Sequence, residues 1–253
     1  MSATWQALEV ELARWREAGR VAEFWWRDDD AALADAALAR LLELSARSSV
    51  PLALAVVPVE ATPALFGALG HTVTVIQHGT DHRNRAASGE KKTEFPRSEP
   101  PNEALGRLAS ARERLAMRAG ASFVPVLAPP WNRLRSALLP LICKAGFRGL
   151  SQYGARGSEE PVSGLRQVNT HVDLVAWRAG RGFAGEKACL DAAIAHLAAK
   201  REGRADAGEA TGWLSHHAVH DEAAWVFLER LFEMTLAAPG VRWRSAAELF
   251  PGP

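Results

Sequence analysis

Cysteine is scarce in this chain of 253 residues: there are two, Cys143 and Cys189, far apart and outside any CxxC spacing. That excludes a disulfide framework and a thiolate metal centre, and both are expected to be ordinary buried thiols. An excess of charge of either sign is also lacking. The 30 Lys and Arg against 29 Asp and Glu leave a formal net charge of +1. Such a balance gives no electrostatic footprint for a nucleic-acid or acidic-membrane partner. No apolar run is long enough to cross a bilayer, and the N-terminal MSATWQALEVELARWREAGR is amphipathic and charged, without the apolar core of a secretory signal. The expectation is a cytoplasmic protein. Internal repeats and domain linkers are missing too, so residues 1–253 are expected to form a single domain with a helical N-terminal extension over 1–20.

What is present is ample apolar content, 48% of residues, enough for one sizeable core. Helical periodicity marks 4–19, where Trp5, Leu8, Val10, Leu12 and Trp15 form a stripe, and recurs in 31–46, 101–119, 134–145, 186–200 and 221–237. Short apolar runs take turns with these helices at 22–26, 51–57, 72–77, 123–128, 147–150 and 211–215. The alternation predicts an α/β fold with a parallel sheet, closed or nearly closed into a barrel. Residues 201–210 are expected to be a plain surface loop, and 83–103 a long irregular one.

In parallel barrels chemistry gathers at the C-terminal ends of the strands. There the apolar runs give way to Arg27-Asp28-Asp29-Asp30, to His78-Gly79-Thr80-Asp81-His82, to Pro129-Pro130-Trp131-Asn132, and to His216-His217; VNTHVDLVAW carries His171 and Asp173. Adjacent carboxylates repel unless a cation neutralises them. The four-residue spacing of His78 and His82 suits a shared ion, and one carboxylate of the Asp run completes a His/His/Asp set. Three protein ligands leave a position open, the arrangement of a catalytic zinc rather than a structural one. Only one of His216 and His217 is expected to face the barrel mouth, because side chains alternate along a strand. Asp221 is expected to cap the next helix, Trp25 and Trp213 to pack in the core, and His71 and His196 to lie on the surface. Loop 83–103 directly follows His82, and its Glu94-Phe95-Pro96 centre is expected to sit over the site as a lid.

In order and spacing these residues resemble the polysaccharide deacetylase superfamily (NodB homology, carbohydrate esterase family 4) from about residue 21 to 250. The resemblance implies a single-domain distorted (β/α) barrel, often seven-stranded, and a metal-dependent hydrolase that removes an acyl group from an N-acylated sugar or related amide. Aligning Ala31 with the glycine of the family's Thr-Phe-Asp-Asp-Gly motif makes Asp29 the catalytic base and Asp30 the metal ligand. The alternative register, Asp28 as base and Asp29 as ligand, stays open. His78 and His82 match the second motif, His-Ser/Thr-x-x-His, and supply the other two ligands. Pro130, Trp131 and Asn132 resemble the third motif, a wall of the substrate groove, although its arginine has no counterpart before the prolines. Asp173 with Trp177 resembles the fourth, short of one acid, and Leu214-Ser215-His216 the fifth, whose histidine is the general acid, held protonated by a carboxylate such as Asp173. Zinc is the first choice of metal on ligand type, with cobalt, nickel, iron or manganese fitting the same donors. A small-molecule or carbohydrate substrate follows, with no nucleic acid and no membrane. The other readings are hydrolysis of a non-sugar C–N bond and a metal- or carbohydrate-binding member without turnover.

Overall fold

The computed structural model describes residues 3–252. Its elements are α1 (Ala3–Glu17), β1 (Ala22–Ala31), α2 (Ala36–Ser48), β2 (Leu52–Val56), α3 (Pro63–Gly67), β3 (Val73–His78), α4 (Pro101–Ala119), β4 (Phe123–Ala128), α5 (Leu139–Ile142), β5 (Gly149–Leu150), β6 (Arg166–Gln167), β7 (Val172–Asp173), α6 (Glu186–Arg201), β8 (Thr211–Ser215), α7 (Glu222–Ala237), β9 (Val241–Trp243) and α8 (Ala246–Leu249).

Every strand pairing is parallel, in the order β6-β5-β4-β3-β2-β1-β8-β7, with β9 added on β1. The edge strands β6 and β7 are consecutive in the chain. On one side Gly154 N–H donates to Thr170 O at 2.8 Å, and on the other His171 N–H donates to Gly212 O at 2.7 Å. Residues 166–173 thus bond to both ends of the sheet and close it. Counting β6 and β7 as one position turns the eight strands of that path into a seven-position distorted barrel.

A parallel sheet covered on both faces buries both sets of alternating side chains. In β1, Phe24 and Trp26 turn outward into the helix-facing core with Leu8, Leu41 and Leu228. Trp25 turns inward with Ala53, Ile76, Val126 and Phe250. Trp25 and Trp213 are fully buried. The 1–20 segment is part of this core: Trp5, Leu8, Leu12 and Trp15 are buried, and the Trp15 Nε1–H donates to Leu197 O of α6. Among the described residues no helix is long and apolar enough to cross a membrane.

Several expectations are corrected. The first strand runs to Ala31 rather than stopping at residue 26, so the charged run lies within it. Helix α2 starts five residues late, at Ala36, where the Asp35 side chain accepts from Leu38 N–H at 2.8 Å. The 134–145 helix shrinks to a 3₁₀ turn and α5, because Pro140 fits only in a first helical turn. Cys189 is buried but Cys143 only partly so. Asp221 caps α7, accepting from Ala224 N–H, and His71 is exposed.

Candidate active site

Strand alternation sends Asp28 outward with Trp26, and Asp29 inward with Trp25 and Arg27. A plain strand would then send Asp30 outward again. Instead β1 bulges: Asp28 pairs with Leu54 but Ala31 with Val56, so β1 spends one residue more than β2 over this interval. Bulges re-aim side chains, and Asp30 takes up the left-handed conformation (φ 69°) that Asp tolerates better than most residues. Its Oδ1 then lies 3.1 Å from His78 Nε2 and 3.2 Å from His82 Nε2.

His78 ends β3, and Gly79 (φ 58°) and His82 (φ 53°) turn the following loop back on itself. The two imidazoles face each other with centroids 5.1 Å apart, and Trp131 lies 4.6 Å beyond His82. Asp30, His78 and His82 each present one ligand atom, all within 4.8 Å of one another. Burial pushes the Asp30 carboxyl up, but the two imidazoles outweigh it and hold it well below the ordinary carboxylate range.

Asp29 is 2% exposed and paired with the fully buried Arg27, Nε to Oδ1 at 2.9 Å and Nη2 to Oδ2 at 3.0 Å. The guanidinium also donates to Asn132 Oδ1 (2.7 Å) and to Ser151 O and Oγ (3.0 and 2.7 Å). Asn132 therefore touches the site through Arg27. Trp131 and Asn132 both sit at φ 55°, and Pro130 is buried against Gly79. Consecutive left-handed non-glycine residues are strained and are found where a site over-determines them.

His216 follows the inward-facing Leu214, and its ring meets Trp177 edge-on at 4.7 Å. Asp173 does not hold His216 by a direct bond. Its Oδ1 accepts from Val175 N–H at 2.9 Å and its Oδ2 from Trp177 Nε1–H at 2.8 Å, so it reaches the histidine through the indole. Burial raises the Asp173 pKa, with His216 opposing. His217 turns outward to Asp28, whose Oδ1 faces Nδ1 while its Oδ2 accepts from His217 N–H (3.0 Å) and Ser215 Oγ–H (2.6 Å). The basic partner of Asp28 is thus His217, and Arg27 serves Asp29.

The lid expectation fails. Phe95 is 1% exposed and packs with Leu108, Leu127 and Leu138, and Glu94 and Pro96 are buried too. The centre of 83–103 is a plug beside β4, drawn in by the apolar Phe95.

His196 and the 201–210 loop are corrected as well. His196 is 8% exposed and stacks on His171 at 3.5 Å, and Glu209 is fully buried. His196 falls in the α6 stripe of Cys189, Ala193, Leu197 and Lys200, a signal present in the sequence. His171, His196 and Glu209 also bring three ligand atoms within 4.8 Å. Here the hydrogen bonding argues against a metal. Gly212 N–H donates to His171 Nδ1 at 2.9 Å, which leaves the proton on Nε2, 3.3 Å from Glu209 Oε2. A ligating Nε2 would need that proton on Nδ1, against the Gly212 N–H. Burial, with His171 and Lys200 nearby, pushes His196 down to about 2, so it is neutral. Glu209 accepts N–H groups of Arg156 and Asn169, and the cluster is a polar lock under α6.

Sequence reasoning missed the roles of Arg27 and Ser151, and gave Glu94 to a lid instead of to the loop between the two histidines. Arg27 was detectable, because residues two apart on a strand share a face. Ser151 and Glu94 carry no local signal.

No protein-family model matches the sequence, and comparison with curated proteins finds no match. Solved structures do match. A family 4 carbohydrate esterase from Streptomyces lividans, in complex with acetate, is 14% identical over 88% of this chain and 90% of its own, with a TM-score of 0.55. A peptidoglycan deacetylase from Bacillus subtilis is 12% identical over 91% and 90%, at 0.54. A family 4 acetyl xylan esterase from Clostridium thermocellum, in complex with a cobalt ion, is 14% identical over 90% of each chain, at 0.52. The fold is that of the NodB-like polysaccharide deacetylases.

Proposed function

We propose that this protein is a metal-dependent hydrolase that removes an acyl group, acetyl above all, from the nitrogen of an acylated sugar or related amide. The observation that carries this is the convergence of Asp30, His78 and His82 at the C-terminal mouth of the barrel, with Asp29 and His216 beside it. The donor set fits a divalent ion: Asp30 Oδ1 is buried without a hydrogen bond of good geometry, although two imidazole nitrogens stand around it. Two imidazoles and a carboxylate suit zinc first, then cobalt, nickel, iron or manganese. When bound, such an ion supplies Lewis acidity toward water and an acyl oxygen.

The chain's own residues do the rest. Asp29 takes a proton from the attacking water, and the two-pronged grip of Arg27 fixes its carboxylate beforehand. His216 gives a proton to the departing amine, its ring steadied by the edge-on Trp177. Trp131 beside His82, with the exposed rings of Tyr153 and Trp177, offers flat surfaces for a sugar ring. The carbohydrate esterases and deacetylases that share the fold support an acylated carbohydrate as substrate.

The purified chain is expected to hold close to one metal ion and to release acetate from at least one of a panel of N-acetylated sugars and oligomers. Chelation should stop release, and zinc should restore it. Release that ignores the chelator would refute the metal's role. Metal-loaded protein that binds an oligosaccharide without releasing acetate would make the chain a binding protein.

A further inference from the structure

We propose that Glu94, twelve residues beyond the second histidine, is a positioning residue that sets the metal affinity of the site by bracing the loop between His78 and His82. This rests on the metal-site reading above. Glu94 is fully buried, and its Oε1 accepts from the Thr80 hydroxyl, from Thr80 N–H at 2.9 Å and, more weakly, from Asp81 N–H at 3.4 Å. Oε2 accepts from Thr80 N–H at 3.1 Å. All these donors belong to the residues between the two histidines. The closest cation is Arg85, with Nη1 3.9 Å from Oε1, and Arg85 itself grips Asp81 with both nitrogens, at 2.8 and 2.6 Å.

The rest of the loop's shape comes from its own turn and from a few bonds to its surroundings, among them Gly79 N–H to Ala128 O at 3.2 Å and the grip of Arg85 on Asp81. That turn depends on Gly79 at φ 58° and His82 at φ 53°. A β-carbon at Gly79 would run into Glu94 Oε2 and stand 2.6 Å from the Pro130 ring, so the carboxyl occupies the space a side chain would take. From outside, Gln77 Nε2–H donates to Gly79 O at 2.8 Å, and Val59 N–H donates to Thr80 O at 3.1 Å. Glu94 is anchored by Phe95 in the core beside Leu108 and Leu127, and Arg85 N–H donates to Thr93 O at 2.9 Å, which clasps the two arms of the segment. The loop reaches the site from β3 and is pinned from below by a segment 14 residues on. Among these holds Glu94 is the one that takes both the backbone N–H and the hydroxyl of Thr80, between Gly79 and the left-handed His82.

Partners that orient metal ligands without touching the ion typically control affinity by 10–100-fold. Zinc titration against a competing chromophoric chelator, on the full chain, tests this. Glu94→Ala is expected to weaken zinc binding by about 10-fold or more. Glu94→Gln should stay within about 3-fold of wild type, because its remaining oxygen can take the Oε1 position that faces all three donors. Thr80→Val, which removes one donor and no bulk, should weaken binding and stands in if Glu94→Ala does not melt cooperatively. A residue that only filled the core would lower the melting temperature of the metal-free chain and leave zinc affinity unchanged. That result overturns the proposal, as does a glutamine variant as weak as alanine. Wild-type protein that binds no zinc would instead overturn the metal-site reading itself.

Discussion

Replacing Asp29 with Asn is expected to leave the metal in place and to lower kcat by about two to four orders of magnitude, the range for a lost general base. The amide keeps the shape and can still accept a hydrogen bond from Arg27, but it has neither charge nor basicity. The fully buried guanidinium then loses its counter-charge, and breaking a buried pair costs about 3–5 kcal/mol when nothing compensates. Here Asn132 Oδ1 and the Ser151 oxygens still accept from it, so the loss should fall at or below the lower end. Kinetics at full metal loading, with a thermal melt beside them, separate the two effects. Activity within tenfold of wild type would remove Asp29 from the proton transfer.

His216→Ala should lower kcat by a similar factor, about two orders of magnitude or more, and His217→Ala should not. The two histidines are neighbours with opposite surroundings. His216 continues the inward face of Leu214 and meets Trp177, whereas His217 is locked behind β1 on Asp28. Burial pulls the His217 pKa down, but Asp28 outweighs it and holds it above the ordinary histidine value. Losing that imidazole leaves a fully buried carboxylate with only the Ser215 hydroxyl and a backbone N–H, so His217→Ala should cost stability first. Equal kinetic losses from both substitutions would contradict the assignment.

The βα alternation was legible because buried parallel strands write themselves as apolar runs, and the strand ends stood out by their imidazoles and carboxylates. The spacing of His78 and His82 points to a shared ion only together with the Asp run that supplies a third ligand. The bulge could not be read from the sequence. A one-residue insertion at Asp29-Asp30 leaves no mark in periodicity, and it is what separates the directions of three adjacent carboxylates. Arg27 stood in the strand-end run without a role of its own. Its partner lies two residues on, on the same face, so the pair can stay inside. The two-residue strands β6 and β7 are too short for any pattern, yet they close the barrel. Glu94 was read as part of a lid over the site, because its partners are backbone and hydroxyl groups that composition does not show.

Metal content of the three asparagine variants at Asp28, Asp29 and Asp30, determined by elemental analysis of protein purified identically, tests the arrangement most directly. Asn keeps the size of each side chain and removes its charge. With β1 bulged as described, Asp28→Asn and Asp29→Asn should carry as much metal as wild type, and Asp30→Asn should carry almost none. A metal-free Asp29→Asn protein beside a fully loaded Asp30→Asn protein would contradict the account.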